Sequence, residues 1–301
     1  MTTEAKAAPT RADSNVDVRP IGDPGAMWRR RIAYVILIGY ALLMFVPFAW
    51  SVVTSFKTLP DAVRLTFIPQ PFTLAPWEYA FTTLSPSLPR LFLNSAIIAI
   101  AVTITNVVLG SMAGYAFARL RFRGREILFL VVLATLMIPD QLRLVPVYLL
   151  LNGAGLTRGV LQYAGVILIL AISGTSIFLL RQYFLSIPRE IEEAARMDGA
   201  GFFRTFWTVM LPLAGPALAA VAILQFQGTW NGYFWPLIIL QQPDQATLPL
   251  GLTQFRTAGG FSNNWPPLMA TVVMATLPVL ALYLFFQRHF VEGIAASGVK
   301  G

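Results

Sequence analysis

The side chains that could take part in chemistry are few in this sequence of 301 residues. There is no cysteine, which excludes disulfide bonds, thiolate metal sites and cysteine nucleophiles. The one histidine, His289, follows Arg288 at the end of an apolar run, which favours a structural role at a membrane interface over a proton relay. Asp140 and Arg143 interrupt another apolar run at a spacing of i, i+3, which suits equally a mutual ion pair and a contact with a transported solute.

Neither catalysis nor ATP binding is predicted for this chain. No phosphate-binding loop of the form G-x-x-x-x-G-K-[ST] occurs in it, so backbone N–H groups cannot cradle ATP in the usual way. A membrane enzyme would need a nucleophile, a metal cluster or an acid–base constellation, and the sequence offers little for one. A secondary transporter would need carboxylates near the middle of the bilayer, for which Asp140 alone is thin support. We therefore predict no catalytic residue, no metal site and no cofactor on this chain.

Composition indicates a protein that crosses the membrane several times. Hydrophobic residues make up 56% of the chain, charged residues make up 12%, and the mean hydropathy is +0.65. A soluble chain of this length is less apolar. The net charge of +8 does not indicate a nucleic-acid partner, because the lysines and arginines lie mainly in short segments between apolar runs.

Six apolar segments are long enough to cross the hydrocarbon core, which takes about 20 helical residues. We predict transmembrane helices at about residues 32–56, 91–118, 127–149, 160–180, 206–226 and 268–286. They would form one domain over residues 29–301, preceded by a disordered cytoplasmic tail over residues 1–28. The predicted fold class is therefore an all-α integral membrane protein.

The distribution of positive charge predicts the orientation of these helices. If both termini are cytoplasmic, the segments on the cytoplasmic side carry 16 of the 22 lysines and arginines, and the outer segments carry six. Short cytoplasmic loops are enriched in these two residues. We therefore predict a multi-pass protein with both termini in the cytoplasm.

Five residues in or beside the apolar segments are candidates for lining a translocation path. They are Asn94, Asn106, Asp140, Trp230 and Asn231. Amides and carboxylates at membrane depth must face protein or a cavity, which makes the first three candidates. Trp230 and its aromatic neighbours are more typical of an interfacial belt, with stacking on a sugar ring as the alternative.

The longest polar stretch between two apolar segments, Pro188–Pro212, is predicted to contain two short helices joined by a turn. Ser186 can cap the first helix, Pro188 suits its first turn, and the glutamates that follow lie near the positive helix N-terminus. Glu192 and Arg196 have the i, i+4 spacing of an ion pair. Gly199 is expected to end this helix with a left-handed backbone, before a second helix with an aromatic face that contains Phe202, Phe203, Phe206 and Trp207.

This stretch resembles the EAA motif of permease subunits from bacterial ABC importers. The motif consists of Glu193-Ala194-Ala195, three residues, Gly199, nine residues, Val209, one residue and Leu211-Pro212, with Val209 where the family usually has isoleucine. The resemblance implies a type I ABC importer permease fold with six transmembrane helices and cytoplasmic EAA coupling helices at about 187–204. An amphipathic loop on the membrane surface is the alternative interpretation.

The resemblance also implies partners and roles. In that family the coupling helices dock on a separate ATPase, which implies that role here for Glu193, Ala194, Ala195, Asp198 and Gly199. The implied partners are a second homologous permease subunit, two ATPase subunits that bind ATP and Mg, and an extracytoplasmic substrate-binding protein, all at the inner membrane of a bacterium and surrounded by membrane lipid.

Other segments resemble one branch of these permeases, the carbohydrate importers of the maltose-transporter second-subunit type. They include Ala113–Phe122, Met137-Ile138-Pro139, Thr229-Trp230-Asn231 and Phe290–Ile294. The resemblance extends from about residue 29 to the end and implies half of a path for a sugar or sugar-like solute. Two alternatives stay open, an importer of glycerol-phosphate-type solutes and a secondary transporter with its own ion coupling.

Overall fold

The computed structural model describes residues 24–64, 66–257 and 264–298, and the side chains of residues 27–64, 66–253 and 264–286. Residues 1–23 of the predicted tail lie outside the described residues, as do the side chains of His289 and of the C-terminal segment named above. The chain divides into two units, residues 1–49 and 50–301, and the contacts given below lie within the second. Every regular element in the described ranges is a helix, as the all-α prediction requires.

The helices are numbered here in chain order. The first half of the chain contains α1 (Pro24–Thr54), the single turns α2 (Leu59–Ala62) and α3 (Ala75–Glu78), then α4 (Leu88–Arg119), α5 (Arg125–Thr135) and α6 (Asp140–Gly153). The second half contains α7 (Leu161–Leu170), α8 (Gly174–Ser186), α9 (Arg189–Met197), α10 (Phe202–Leu213), α11 (Gly215–Trp230), α12 (Phe234–Ile239), α13 (Leu248–Thr257) and α14 (Trp265–Gly298).

Three helices of the described chain are long and apolar enough to span a membrane alone, within α1, α4 and α14. The pairs α5–α6, α7–α8 and α10–α11 pass the same test of length and composition, but they are bent by 103°, 45° and 76°. Counting each bent pair as one span gives up to six, so the number six stays a prediction. The continuous helices expected at 127–149, 160–180 and 206–226 are each interrupted.

Local sequence explains these interruptions. Pro139 has an extended backbone (φ −60°, ψ 141°), and a residue that precedes proline avoids the helical region, so α5 and α6 cannot join through Ile138-Pro139. Ser173 also has an extended backbone and caps α8, accepting a hydrogen bond from the N–H of Ser176 at 3.4 Å. Pro216 lies in the first turn of α11 and thereby ends α10. The length of an apolar run indicates that it can span a membrane, but it does not show whether the helix is bent.

Helix α4 is the centre of the fold and packs most extensively against α8 and α11. Its contact with α8 is made by Gly110 and Gly114, four residues apart. A Cβ atom on Gly114 would lie 2.9 Å from the backbone nitrogen of Arg181 and 2.9 Å from the Cβ of Leu180, so only glycine permits this approach. Backbone therefore packs directly on backbone where these two helices cross.

Two buried apolar clusters flank α4. One lies toward its start and includes Leu91, Ile98 and Leu248, and the other lies toward its end and includes Tyr115 and Phe184. Phe206 and Met210 of the EAA stretch are buried in the second cluster.

The segment between α1 and α4 is ordered around one buried carboxylate. Asp61 accepts hydrogen bonds from the backbone N–H of Gln70 at 3.0 Å and from the hydroxyl of Thr66 at 3.2 Å, and the buried Lys57 donates to the carbonyl of Thr66. The Gln70 hydrogen bond holds the pKa of the Asp61 carboxyl below its ordinary value, although burial opposes this shift.

Candidate coupling site

The EAA stretch forms the predicted pair of short helices, of which α9 is the first. It begins at Arg189 because Pro188 has an extended backbone (φ −56°, ψ 140°) and separates α9 from α8. The prediction that Ser186 caps α9 is wrong. Its hydroxyl donates instead to the carbonyl of Tyr183 at 2.7 Å, within the last turn of α8, because Ser186 lies three residues before the first residue of α9.

Gly199 ends α9 as predicted. Its φ is +79°, in the left-handed region that favours glycine, and its N–H donates to the carbonyl of Arg196 at 3.0 Å. A Cβ atom built on Gly199 meets nothing within 4 Å. The requirement for glycine therefore comes from backbone conformation and not from crowding within the chain.

One face of α9 is open to solvent. Glu193, Ala194 and Asp198 are exposed, Ala195 is half-buried, and Met197 is 89% exposed. No described residue forms an ion pair with Glu193 or Asp198. The residues of the EAA motif therefore present two carboxylates, small side chains and one flexible apolar side chain outward from the same short helix.

The opposite face of α9 is fixed by Glu192, which is only 5% exposed. Its Oε1 accepts hydrogen bonds from the Tyr115 hydroxyl at 2.7 Å and from Nη2 of Arg196 at 3.0 Å. Its Oε2 lies 3.6 Å from Nε of Arg119, within ion-pair distance but too far for a hydrogen bond. The predicted Glu192–Arg196 pair is thus confirmed, and it belongs to a larger buried cluster that joins α9 to the end of α4.

Arg119 extends this cluster to α8. Its Nη2 donates to the carbonyl of Phe184 at 2.7 Å and also to the carbonyl of Ile187. These carbonyls belong to the end of α8, where a helix lacks its own hydrogen-bond donors and where positive charge is favoured. One buried guanidinium therefore contacts the ends of α4 and α8 and the start of the link to α9.

Aromatic packing completes the support of the site. The ring of Tyr115 lies 5.5 Å from that of Phe184, 5.5 Å from that of Phe202 and 5.1 Å from that of Phe206. Phe202 and Phe206 come from α10, which confirms the predicted aromatic helix after Gly199. The backbone of α10 widens to a π turn at Phe206–Met210.

Sequence reasoning missed the roles of Tyr115, Arg119 and the buried Glu192. The i, i+4 spacing placed Glu192 correctly beside Arg196 but gave no sign that its carboxylate turns inward. Tyr115 lies 77 residues earlier in the chain, so no local pattern connects the two. A weaker signal was available, since a tyrosine and an arginine lie at i, i+4 at the end of the long helix α4.

Asn94 and Asn106, two candidates for the translocation path, hydrogen-bond to distant parts of the chain. Both are buried on α4. The Asn94 amide donates to the carbonyls of Asp244 at 2.9 Å and Ala246 at 2.8 Å, and the Asn106 amide donates to the carbonyl of Leu170 at 2.7 Å. These amide groups therefore join α4 to other parts of the same chain, and a place in the translocation path stays a prediction for both residues.

Trp230 is also part of the protein interior. It is 2% exposed, its Nε1 donates to the carbonyl of Ala275 at 2.9 Å, and its ring stacks on Phe226 with centroids 5.6 Å apart. Trp230 therefore packs in the core of this chain, and a place in the translocation path stays a prediction. Asn231, which follows the end of α11, is exposed.

Asp140 and Arg143 form the mutual ion pair that the sequence allowed. They lie at the start of α6 and line a cavity of about 320 Å³, with Ser173 and Gln225 among its other lining residues. Nε of Arg143 is buried without a hydrogen-bond partner. The breaks before α6 and α8 thus surround a small polar cavity, and non-helical backbone at membrane depth is tolerated where it lines such a space.

Comparison with known proteins identifies the family. Residues 106–295, which include α9 and Gly199, match the family model "Binding-protein-dependent transport system inner membrane component". The chain is 38% identical over 277 residues to the arabinooligosaccharides transport system permease protein AraQ of Halalkalibacterium halodurans, covering 90% of this chain and 97% of that protein. It is 31% identical over 268 residues to the sn-glycerol-3-phosphate transport system permease protein UgpE of Yersinia enterocolitica, covering 87% and 94%.

A solved structure shares the fold. A chain in the crystal structure of a bacterial ABC transporter involved in the import of the acidic polysaccharide alginate superposes with a TM-score of 0.79 at 24% identity, over 90% of this chain and 99% of that chain. At that identity the likeness concerns the fold, which is the ABC importer permease fold that the EAA motif implied. With the family match and the curated relatives, it shows that this chain belongs to the family of binding-protein-dependent transport system inner membrane components.

Proposed function

We propose that this chain forms half of the translocation path of an ATP-driven importer for a sugar or sugar-like solute. Its partners in this proposal are a second homologous permease subunit, two ATPase subunits and an extracytoplasmic substrate-binding protein. ATP and Mg bind to the ATPase subunits, and this chain carries neither a cofactor nor a catalytic residue. Family membership supports the proposal most directly, since the family is defined by dependence on a binding protein.

The solute class is proposed from the relatives. AraQ is named for arabinooligosaccharides and UgpE for sn-glycerol-3-phosphate, and the identity to AraQ is the higher of the two. A sugar is therefore the first candidate and a glycerol-phosphate-type solute the second. The polar cavity beside Asp140 and Arg143, with the exposed Asn231, supplies candidates for contact with either solute.

Coupling to the ATPase is proposed for α9 and the turn after it. The observation that carries this proposal is the division of α9 into two faces, with Glu192 buried against the permease and Glu193 exposed beside Ala194, Ala195 and Asp198. A helix held on one side and open on the other is suited to dock on a separate subunit. Exposed carboxylates there can pair with basic residues of the ATPase, and small residues permit close approach.

The orientation follows from the proposed coupling role. If α9 docks on an ATPase, the ends of α4 and α8 and the start of α10 are cytoplasmic. The excess of positive charge in the same segments supports that orientation, with both termini in the cytoplasm.

Reconstitution tests the proposed function. The tagged chain, purified from its native membrane in mild detergent, is expected to carry an ATPase and a second permease with it. In proteoliposomes, uptake of labelled oligosaccharide should require ATP and the cognate binding protein, and it should persist when ion gradients are collapsed. A thermal-shift screen of that binding protein against oligosaccharides, amino sugars and glycerol phosphodiesters selects the solute. Uptake driven by an ion gradient without ATP would contradict the proposal and favour a secondary transporter.

A further inference from the structure

We infer that Tyr115, Arg119 and Glu192 form a tether that makes α9 move as one body with α4 and α8. A displacement of α9 would then be transmitted directly to membrane helices. This inference rests on the proposed coupling role of α9, and it adds the residues through which the permease receives the movement.

Helix α9 depends on its neighbours for its position. It has nine residues, and an isolated helix of that length is marginal in water. Ile187-Pro188 connects it to α8, and 198–201 connects it to α10. Its orientation must therefore be set by side-chain contacts with its neighbours.

The main contact of α9 with its neighbours is made by the buried carboxylate of Glu192. Burying a carboxylate is costly unless donors surround it. Glu192 has the Tyr115 hydroxyl at 2.7 Å, Arg196 at 3.0 Å and Arg119 at 3.6 Å. Tyr115 and Arg119 both belong to α4. If α9 moved away from α4, the Glu192 carboxylate would lose both of these partners at once.

Arg119 links this cluster to α8 as well as to α4. Arg119 also donates to the carbonyls of Phe184 and Ile187, at the end of α8. In the turn that leads to Tyr115, Gly110 and Gly114 let α4 approach α8 closely, and Gly114 faces the backbone of Leu180 and Arg181. α4 and α8 pack extensively on each other at this close crossing, and the tether joins α9 to their common end.

Adjacent glutamates then have opposite roles. Glu192 points into the permease and receives movement, whereas Glu193 points outward to the proposed ATPase. A displacement of α9 imposed at its outer face would therefore move α4 as well, because the two faces belong to the same short helix.

The test separates docking from transmission. In proteoliposomes containing the whole transporter, Tyr115→Phe and Glu192→Gln are expected to retain wild-type amounts of ATPase but to raise the ATP hydrolysed per solute imported by about tenfold, because loss of a buried hydrogen bond to a charged group changes an equilibrium by that order. Tyr183→Phe is the matched control. It removes a hydroxyl bonded to the carbonyl of Leu213 outside the tether, and it should keep the wild-type ratio.

Distance measurement gives an independent readout. The absence of cysteine allows spin labels at Arg189→Cys on α9 and Leu109→Cys on α4, both at exposed positions, and Arg189 lies outside the proposed docking face. The distance distribution should be narrow and unchanged by ATP binding in the wild-type background, and it should broaden with Tyr115→Phe. If Glu192→Gln does not accumulate in membranes, Tyr115→Phe decides the test, since it removes one oxygen atom and keeps the ring.

The outcomes are distinct. A wild-type ATP-to-solute ratio and a narrow distance distribution in Tyr115→Phe would overturn the tether. Failure of any ATPase to purify with the wild-type chain would instead contradict the proposed function.

Discussion

The same substitution at Gly199 and at Gly201 should have different consequences, although the two residues are only two positions apart. Gly199 has a φ of +79°, whereas Gly201 has φ −70° and ψ 169°. A Cβ atom would meet nothing within 4 Å at either position. Because both sites offer open space, Gly199→Ser and Gly201→Ser differ mainly in the backbone conformation that serine must adopt.

The expected magnitude follows from that conformation. A residue with a Cβ in the left-handed region costs about 1–2 kcal/mol. A change of this size lowers the equilibrium constant between the native turn and its alternatives by roughly 5–30-fold. Gly201 is the N-cap of α10, where serine is a favoured residue, so Gly201→Ser should cost nothing or stabilise slightly. Asparagine tolerates the left-handed region better, so Gly199→Asn should fall between wild type and Gly199→Ser.

The assay measures ATPase binding and uptake on the same preparations. Titration of the purified ATPase onto nanodiscs that hold the permease pair should give a weaker Kd for Gly199→Ser, by at most about 5–30-fold, because only the fraction with the native turn can dock. Gly201→Ser should bind like wild type. Membrane abundance should be equal for both, since the change lies outside the apolar helices.

Two results would refute this reasoning. Equal weakening by serine at both positions would show that backbone conformation is not the cause. Wild-type ATPase affinity and uptake in Gly199→Ser would show that this turn is not part of the coupling element.

Four further predictions follow from other parts of the molecule. Arg123→Cys should resist an impermeant thiol reagent applied outside intact cells while Arg64→Cys reacts, and the reverse pattern would invert the proposed orientation. The purified chain alone should show no ATP turnover above a buffer blank, and specific turnover would place the motor on this chain. Gly114→Ala should lower the melting temperature through a clash worth about 1–3 kcal/mol, while Gly228→Ala, in open space within α11, should raise or preserve it. Asp61, whose pKa is lowered, should stabilise its loop fully above about pH 4, and this contribution should be lost as the pH falls through the lowered pKa. Proteolysis of the loop should detect the loss, and Asp61→Asn should remove this pH dependence.

Local signals predicted the two short helices of the EAA stretch and the turn between them. Pro188 and Gly199 delimit α9 through backbone preferences that act within a few residues, and the Glu192–Arg196 pair depends on helical spacing alone. The membrane helices were harder, because a hydropathy run does not report a bend. Pro139 is a local signal for the break before α6, but it does not show by how much the chain turns there.

The surroundings of the polar residues could not be predicted from sequence. Asn94, Asn106 and Trp230 have side chains that suit a solute path and helix packing equally, and the choice depends on which distant carbonyl lies opposite. For Trp230 that carbonyl belongs to Ala275, 45 residues later. Glu192 shows the same limit, since its partner Tyr115 lies on another helix.

The buried asparagines of α4 also constrain how the chain enters the membrane during synthesis. The Asn106 amide bonds to a carbonyl 64 residues later, and the Asn94 amide bonds to one 150 residues later. At a synthesis rate of about 5–20 residues per second, the second partner emerges roughly 8–30 s after Asn94. An unpaired amide in hydrocarbon costs a few kcal/mol, so α4 is poorly suited to settle in lipid alone during that interval. We expect the nascent helix to stay beside the insertion machinery or its water-filled channel until the later segments arrive.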